Sequence, residues 1–272
     1  MRESPIGVFD SGLGGLSVLR QIRSTLPDES VVYLADQAHV PYGPRPLEQV
    51  QAFSEGITRF LLDHGAKLIV VACNTASAAA LQHLRRTFPE VPFVGMEPAV
   101  KPAAATTRSK VVGVLATPAT FQGELFASVV ERFAGGVDVI PQTLPGLVER
   151  IEAGDFDGPE TRAIVQRGLA PLLARGVDTL VLGCTHYPFV IPLIEELAGP
   201  GVQVIDPSPA VARQAARLLT ERRLTAVRGQ PGPPRLFTTG DPQRLAGLLP
   251  GLLPGGAEVE RAVWVGGTLQ RA

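Results

Sequence analysis

The chain has 272 residues, 45% of them hydrophobic and 19% charged, with a net charge of −1. That is enough for one or two domains with a filled core. A balance this close to neutral gives no electrostatic argument for nucleic acid or an anionic membrane surface, so neither is expected as a partner.

The predicted elements begin with Ile6-Gly7-Val8-Phe9, an apolar run too short for a signal-peptide core, and no later run reaches membrane-spanning length. A cytoplasmic location is expected, where the two cysteines would stay reduced. Ile6 to Phe9 reads as a buried strand, and Asp10-Ser11-Gly12-Leu13-Gly14-Gly15 turns it into a helix with Leu16, Leu19, Ile22 and Leu26 on one face. Val31 to Leu34 is a strand ending in Ala35-Asp36. A loop containing Pro41-Tyr42-Gly43-Pro44-Arg45 and a helix over about Pro46 to His64 follow. Lys67 to Ala72 is a strand ending on Cys73, with Asn74 or Thr75 as the expected cap of a helix reaching Phe88. Val91 to Gly95 is the next strand, and Glu97-Pro98-Ala99-Val100 opens another helix.

From Val112 the pattern recurs. Val112 to Ala116 resembles the first strand at an offset of 113 − 7 = 106, and Val137 to Ile140 parallels Val31 to Leu34 at the same offset. Thr117-Pro118-Ala119-Thr120 stands where the Asp10-Ser11 loop stood. The second cysteine strand, Thr179 to Gly183, and Cys184 align at 184 − 73 = 111. Val202 to Ile205 with Ser208-Pro209-Ala210-Val211 align with Glu97 to Val100 at 209 − 98 = 111. The expected fold class is therefore α/β: two pseudo-symmetric parallel-sheet α/β domains, wound by right-handed crossovers, facing each other across an active-site cleft. Arg222 to Arg235 reads as a loop. Arg235 to Thr239 and Glu260 to Val265 read as strands flanking a helix over Pro242 to Leu249. They have no counterpart in the second half and are expected to return to the first. The first domain is then discontinuous, residues 1–97 plus 210–272, and the second is residues 98–209.

Ligands of open parallel sheets bind beyond the carboxyl ends of the strands. The residues there are Asp10 and Ser11, Tyr42 and Gly43, Cys73 to Thr75, Thr117 to Thr120, and Cys184 to His186. Facing halves bring Cys73 and Cys184 to one crevice, each before a helix whose N-terminus would lower its thiol pKa and favour a carboxylate ligand. One thiolate taking a proton from a substrate carbon while the opposite thiol donates to the other face inverts a stereocentre without a cofactor. Asp10 and His186, one per half, are the titratable neighbours. Plainer readings compete: an inert core cysteine, a structural disulfide, a structural histidine, and Asp10 as a helix cap. Gly12-Leu13-Gly14 lacks the later glycine of the dinucleotide fingerprint, no Walker sequence occurs, and the four histidines and two cysteines show no metal-ligand spacing. The three lysines, Lys67, Lys101 and Lys110, lie away from the strand ends that a pyridoxal lysine would need. No metal and no cofactor are expected.

These residues resemble those of bacterial glutamate racemases, of the cofactor-independent aspartate/glutamate racemase superfamily. The likeness rests on Ile6 to Gly15, Pro41-Tyr42-Gly43, Ala72-Cys73-Asn74-Thr75, Gly183-Cys184-Thr185-His186-Tyr187-Pro188 and Thr238-Thr239-Gly240-Asp241, and it spans nearly the whole chain. It implies two-base interconversion of L- and D-glutamate, with D-glutamate going to peptidoglycan. Cys73 would abstract from the D-isomer with support from Asp10, and Cys184 from the L-isomer with support from His186. Ser11, Tyr42, Gly43, Asn74, Thr75 and Thr185 match positions that hold the substrate, with Asp10 and His186 beside them. Thr117 and Thr120 are further contacts of the same kind, and a family glutamate corresponds to Glu149 or Glu152. A homodimer is the usual assembly. Competing functions are a relative acting on aspartate or a hydantoin, and a dithiol redox or carboxylate-binding protein without turnover.

Overall fold

The structure, a computed structural model, describes residues 3–122, 124–227 and 231–272. The chain opens with β1 (Ile6–Asp10), α1 (Leu16–Thr25), β2 (Val31–Ala35), α2 (Leu47–Asp63), β3 (Leu68–Val71), α3 (Asn74–Thr87) and β4 (Phe93–Gly95). After α4 (Val100–Thr106) come β5 (Val111–Ala116), the short α5 (Pro118–Gln122), α6 (Glu124–Phe133), β6 (Asp138–Gln142), α7 (Leu147–Glu152), α8 (Pro159–Ala174) and β7 (Thr179–Gly183). A 3-10 turn (Tyr187–Val190) leads to α9 (Ile191–Ala198), β8 (Gln203–Ile205) and α10 (Ser208–Glu221). The last elements are β9 (Arg235–Thr238), α11 (Pro242–Leu252), β10 (Glu258–Val265) and β11 (Thr268–Arg271). Among the described residues, no helix is long and apolar enough to cross a membrane.

Strands β1, β2, β3 and β7 are buried at every position. Parallel strands covered by helices on both faces have no solvent side, which is why they read as continuous apolar runs rather than alternations. Two sheets result, a seven-stranded one in the order β11-β10-β9-β2-β1-β3-β4 and a four-stranded one in the order β6-β5-β7-β8. The block β2-β1-β3-β4 has the strand order of the whole second sheet, and every pairing in both is parallel. The repeat in the sequence is thus a repeat of topology.

Its register matches the sequence alignment with one correction. Gly7 pairs with Ile69 and Ile69 with Phe93, while Gly113 pairs with Leu180 and Leu180 with Val204, so 180 − 69 and 204 − 93 both give 111. Gly7 faces Val32 but Gly113 faces Ile140, so the second strands align at 140 − 32 = 108 rather than 106. The sequence after Thr117 also differs from the Asp10-Ser11 loop, because Pro118 opens α5 directly. Strand β9 pairs in parallel with β2, and β10 in parallel with β9. Strand β11, which was not foreseen, adds antiparallel to β10 across Gly266-Gly267, both at positive φ (57° and 82°), the backbone that two-residue hairpins favour.

Candidate active site

Strand β1 ends on Asp10, β3 ends two residues before Cys73, and β7 ends immediately before Cys184. Cys73 and Cys184, one from each half, line a single cavity of about 20 Å³. Ser11, Tyr42, Gly43, Asn74 and Thr75 form its first-half wall, and Thr185 and His186 its second-half wall, with Thr117 beside them. Pro41 and Val148, not singled out in the sequence, also line it. Two expected contacts are not on that wall: Thr120, whose hydroxyl meets those of Thr75 and Thr117, and Asp10. Asp10 is fully buried, accepting hydrogen bonds from the Gly15 amide (2.8 Å), Thr185 Oγ1 (3.3 Å) and Ser11 Oγ (3.4 Å). Its bond to Gly15 shapes the turn into α1, while its bond to Thr185 reaches the other half.

Both cysteines are buried free thiols. Cys73 itself caps α3: its sulfur accepts from the Ala76 amide at 3.4 Å and faces Ser11 Oγ at 3.8 Å. Asn74 and Thr75, the expected caps, are instead the first residues inside the helix. Cys184 is followed by the 3-10 turn, and its sulfur lies 3.9 Å from His186 Nδ1. His186 Nε2 is 2.6 Å from Glu152 Oε1, which also accepts from the Leu13 amide at 2.7 Å. Of the two glutamates left open by the sequence, Glu152 is the one that reaches the site. The glycine-rich turn after β1 makes room for this group. A Cβ at Gly12 would lie 1.9 Å from Glu152 Oε1, and one at Gly14 would lie 2.4 Å from His186 Nδ1.

A family model for Asp/Glu/Hydantoin racemases matches residues 6–215. The chain belongs to this racemase family. The glutamate racemase of Pseudomonas aeruginosa is 55% identical over 250 residues, 92% of this chain and 94% of that protein. The solved glutamate racemase of Escherichia coli, in complex with L-glutamate and the activator UDP-MurNAc-Ala, superposes with a TM-score of 0.84 at 33% identity, covering 97% of this chain and 100% of that one. The Francisella tularensis glutamate racemase in complex with D-glutamate also has a TM-score of 0.84, at 29% identity, covering 97% of this chain and 98% of that one. Within the family, the chain groups with the glutamate racemases, which are isomerases.

In this racemase the two thiols have unlike surroundings. Burial pushes the Cys73 thiol well above its ordinary value, the Asp10 charge pushes it further, and the Ala76 amide offsets only part of this. The sequence-based expectation of a lowered pKa is thus reversed, because desolvation outweighs the helix terminus. Burial likewise raises Asp10, against the opposing charge of His186. At His186, burial disfavours the imidazolium, but its contacts with Cys184 and Glu152 prevail and lift it well above its ordinary value. Burial also works against the Glu152 carboxylate, yet the hydrogen bonds from His186, Gln37 and Leu13 hold it below the usual glutamate range. One thiol therefore neighbours a carboxylate, the other an imidazolium. The Asn74 side-chain amide is buried on the cavity wall, with no hydrogen-bond partner for its nitrogen or its oxygen. Each such buried orphan costs roughly 1–3 kcal/mol, which a ligand bearing both a carboxylate and a donor would recover.

Proposed function

We propose that the chain interconverts L- and D-glutamate at Cα, without a cofactor, using Cys73 and Cys184 as its two acid–base groups. The observation that carries this reading is that two buried thiols from opposite halves line one cavity beside the unpartnered Asn74 amide. With L-glutamate, the Cys184 thiolate takes the α-proton, so its S–H bond forms as the C–H bond breaks. The Cys73 thiol gives its proton to the opposite face, so that S–H bond breaks as the new C–H bond forms. D-glutamate runs the same steps in reverse, with Cys73 as base. Each turnover leaves the proton on the other sulfur, and the thiols then re-equilibrate with solvent. Asp10 acts on Cys73 and His186 on Cys184.

Glutamate as the substrate is supported by the complexes of the two solved relatives. Asn74, Thr75, Ser11 and Thr185 offer amide and hydroxyl groups to its carboxylates, with Tyr42 and Gly43 closing the far side. A cavity of about 20 Å³ holds about one water molecule, so the halves part to admit an amino dicarboxylate. In this reading they move as residues 1–97 plus 210–272 against residues 98–209. The D-glutamate would supply peptidoglycan synthesis in the cytoplasm, and the assembly would be a homodimer.

The deciding experiment incubates each glutamate enantiomer with the protein in deuterated water and follows optical activity and Cα deuterium. Both enantiomers should lose optical activity and gain deuterium, and Cys73→Ala and Cys184→Ala should each lose the interconversion. Faster turnover of aspartate or a hydantoin would move the substrate. Reversible disulfide formation without any exchange would leave a dithiol protein and sink the racemase reading.

A further inference from the structure

The C-terminal motif Thr238-Thr239-Gly240-Asp241 contributes nothing to the cavity wall, yet Thr238 is fully buried. Its hydroxyl leads back to the site through Gln37. The Gly240 amide donates to Thr238 Oγ1 at 2.9 Å, so the hydroxyl proton is free to go to Gln37 Oε1, 2.7 Å away. This turns Gln37 Nε2 towards Glu152 Oε2 at 2.7 Å. The opposite amide orientation would set its oxygen against a carboxylate. Glu152 Oε1 meanwhile accepts from the Leu13 amide at 2.7 Å and faces His186 Nε2 at 2.6 Å. The Leu13 amide and Gln37 Nε2 can only donate, one to each oxygen of Glu152, so the carboxylate is favoured and His186 Nε2 takes the donor's part. Glu152 is held ionised, His186 donates to it from Nε2, and Nδ1 is left facing Cys184 at 3.9 Å. The chain of bonds ends there. Cys73 is held by Ser11 and the Ala76 amide and lies outside it.

We propose that Gln37 and Thr238 are positioning residues for racemisation: their hydrogen bonds fix Glu152 behind His186 and thereby act on Cys184, which faces His186, more than on Cys73. The assignment rests on the two-thiol reading above. It gives the C-terminal motif a role in the reaction although it touches no substrate. It also explains why β9, which carries Thr238, is laid beside β2, which leads to Gln37.

The test compares wild type with Gln37→Met, Thr238→Val and Thr238→Ser, using protiated and α-deuterated L- and D-glutamate. Gln37→Met and Thr238→Val should lower kcat by about ten-fold, the scale of one lost hydrogen bond to a charged group, with KM within about two-fold. The α-deuterium isotope effect on kcat/KM should rise more for L-glutamate, where Cys184 breaks the C–H bond, than for D-glutamate, where Cys73 does. Thr238→Ser, which keeps the hydroxyl, should behave as wild type, and this serine–valine contrast stands independently of how well Gln37→Met folds. An isotope effect that rises equally for both enantiomers, or a serine variant as impaired as the valine one, overturns the assignment while leaving the two-thiol reading intact. Wild-type protein that exchanges the α-proton of neither enantiomer overturns both.

Discussion

Cys73 and Cys184 share a cavity, but Asp10 stands beside one and His186 beside the other. Because L- and D-glutamate are mirror images, their equilibrium constant is unity and kcat/KM must follow one pH profile for both. In the proposed two-thiol mechanism, Cys73 has to enter the L-to-D direction as the protonated thiol. Burial first, and the Asp10 charge second, hold it protonated beyond the ordinary thiol value of 9.0. The alkaline limb of kcat/KM, which belongs to the coupled pair of thiols, should therefore lie above that value. Replacing Asp10 with Asn removes the negative charge that disfavours the Cys73 thiolate, so the limb should move to lower pH. Profiles of the wild type and Asp10→Asn check this, and an unmoved limb in Asp10→Asn would show that the carboxylate does not act on Cys73. The residue identities of this site were largely legible in the sequence, since chemistry-bearing side chains at strand ends need no three-dimensional information to be suspected. The direction of the Cys73 shift was not, because a helix N-terminus is visible in a sequence and desolvation is not.

Among the elements, the turn from β1 into α1 and the short helix α7 form one unit across the two halves. Helix α7 buries Leu147, Val148, Ile151 and Glu152. Glu149 and Glu152 stand one helical turn apart, so sequence alone could not choose between them, and the rotation of α7 does. The packing of Gly12 on Glu152 depends on that rotation. In Gly12→Ala the new methyl would stand 1.9 Å from Glu152 Oε1, so the carboxylate must leave its bonds to Leu13 and His186. Overpacking of this kind costs about 1–3 kcal/mol, worth several degrees of melting temperature, and kcat should fall about ten-fold or more as a general acid–base partner is lost. Calorimetry and steady-state rates check the pair, and an alanine variant matching wild type in both would mean that Glu152 has another place to go. The fold's other surprises have similar causes. The true offset of 108 for β6 is a matter of pairing register, which an apolar run does not specify. Strand β11 has only Leu269 as an apolar residue and owes its existence to the Gly266-Gly267 turn.

For the molecule as a whole, the closed cavity has two flanks, and they are held together differently. On one flank Glu152 accepts from Leu13 and Gln37, Asp10 accepts from Thr185 Oγ1, and Ser17 Oγ donates to the Thr185 carbonyl at 3.1 Å. Carboxylates serve there as buried acceptors, and such charge-assisted bonds are the stronger kind. On the other flank the halves meet through neutral hydroxyls, Thr75 with Thr117 at 2.8 Å and with Thr120 at 3.4 Å, and through the Ala119 amide to the Gly43 carbonyl at 3.3 Å. Pro118 beside this contact is exposed. The second flank is therefore expected to open when substrate enters. The Ala119 amide reports this directly, because it lies in the first turn of α5, where helix amides have no intrahelical acceptor, and its partner belongs to the other half. In hydrogen exchange it should be among the faster amides of the cavity rim without ligand. Glutamate at about a hundred times its dissociation constant should slow it by roughly a hundred-fold, since a ligand bound to the closed state stabilises closure by about 2.7 kcal/mol. The Leu13 amide, bonded to Glu152, should be slow with or without glutamate. Leu13 exchanging as fast as Ala119 would place the opening on the opposite flank. An Ala119 amide indifferent to either enantiomer would mean that substrate reaches the thiols without the two halves parting at α5.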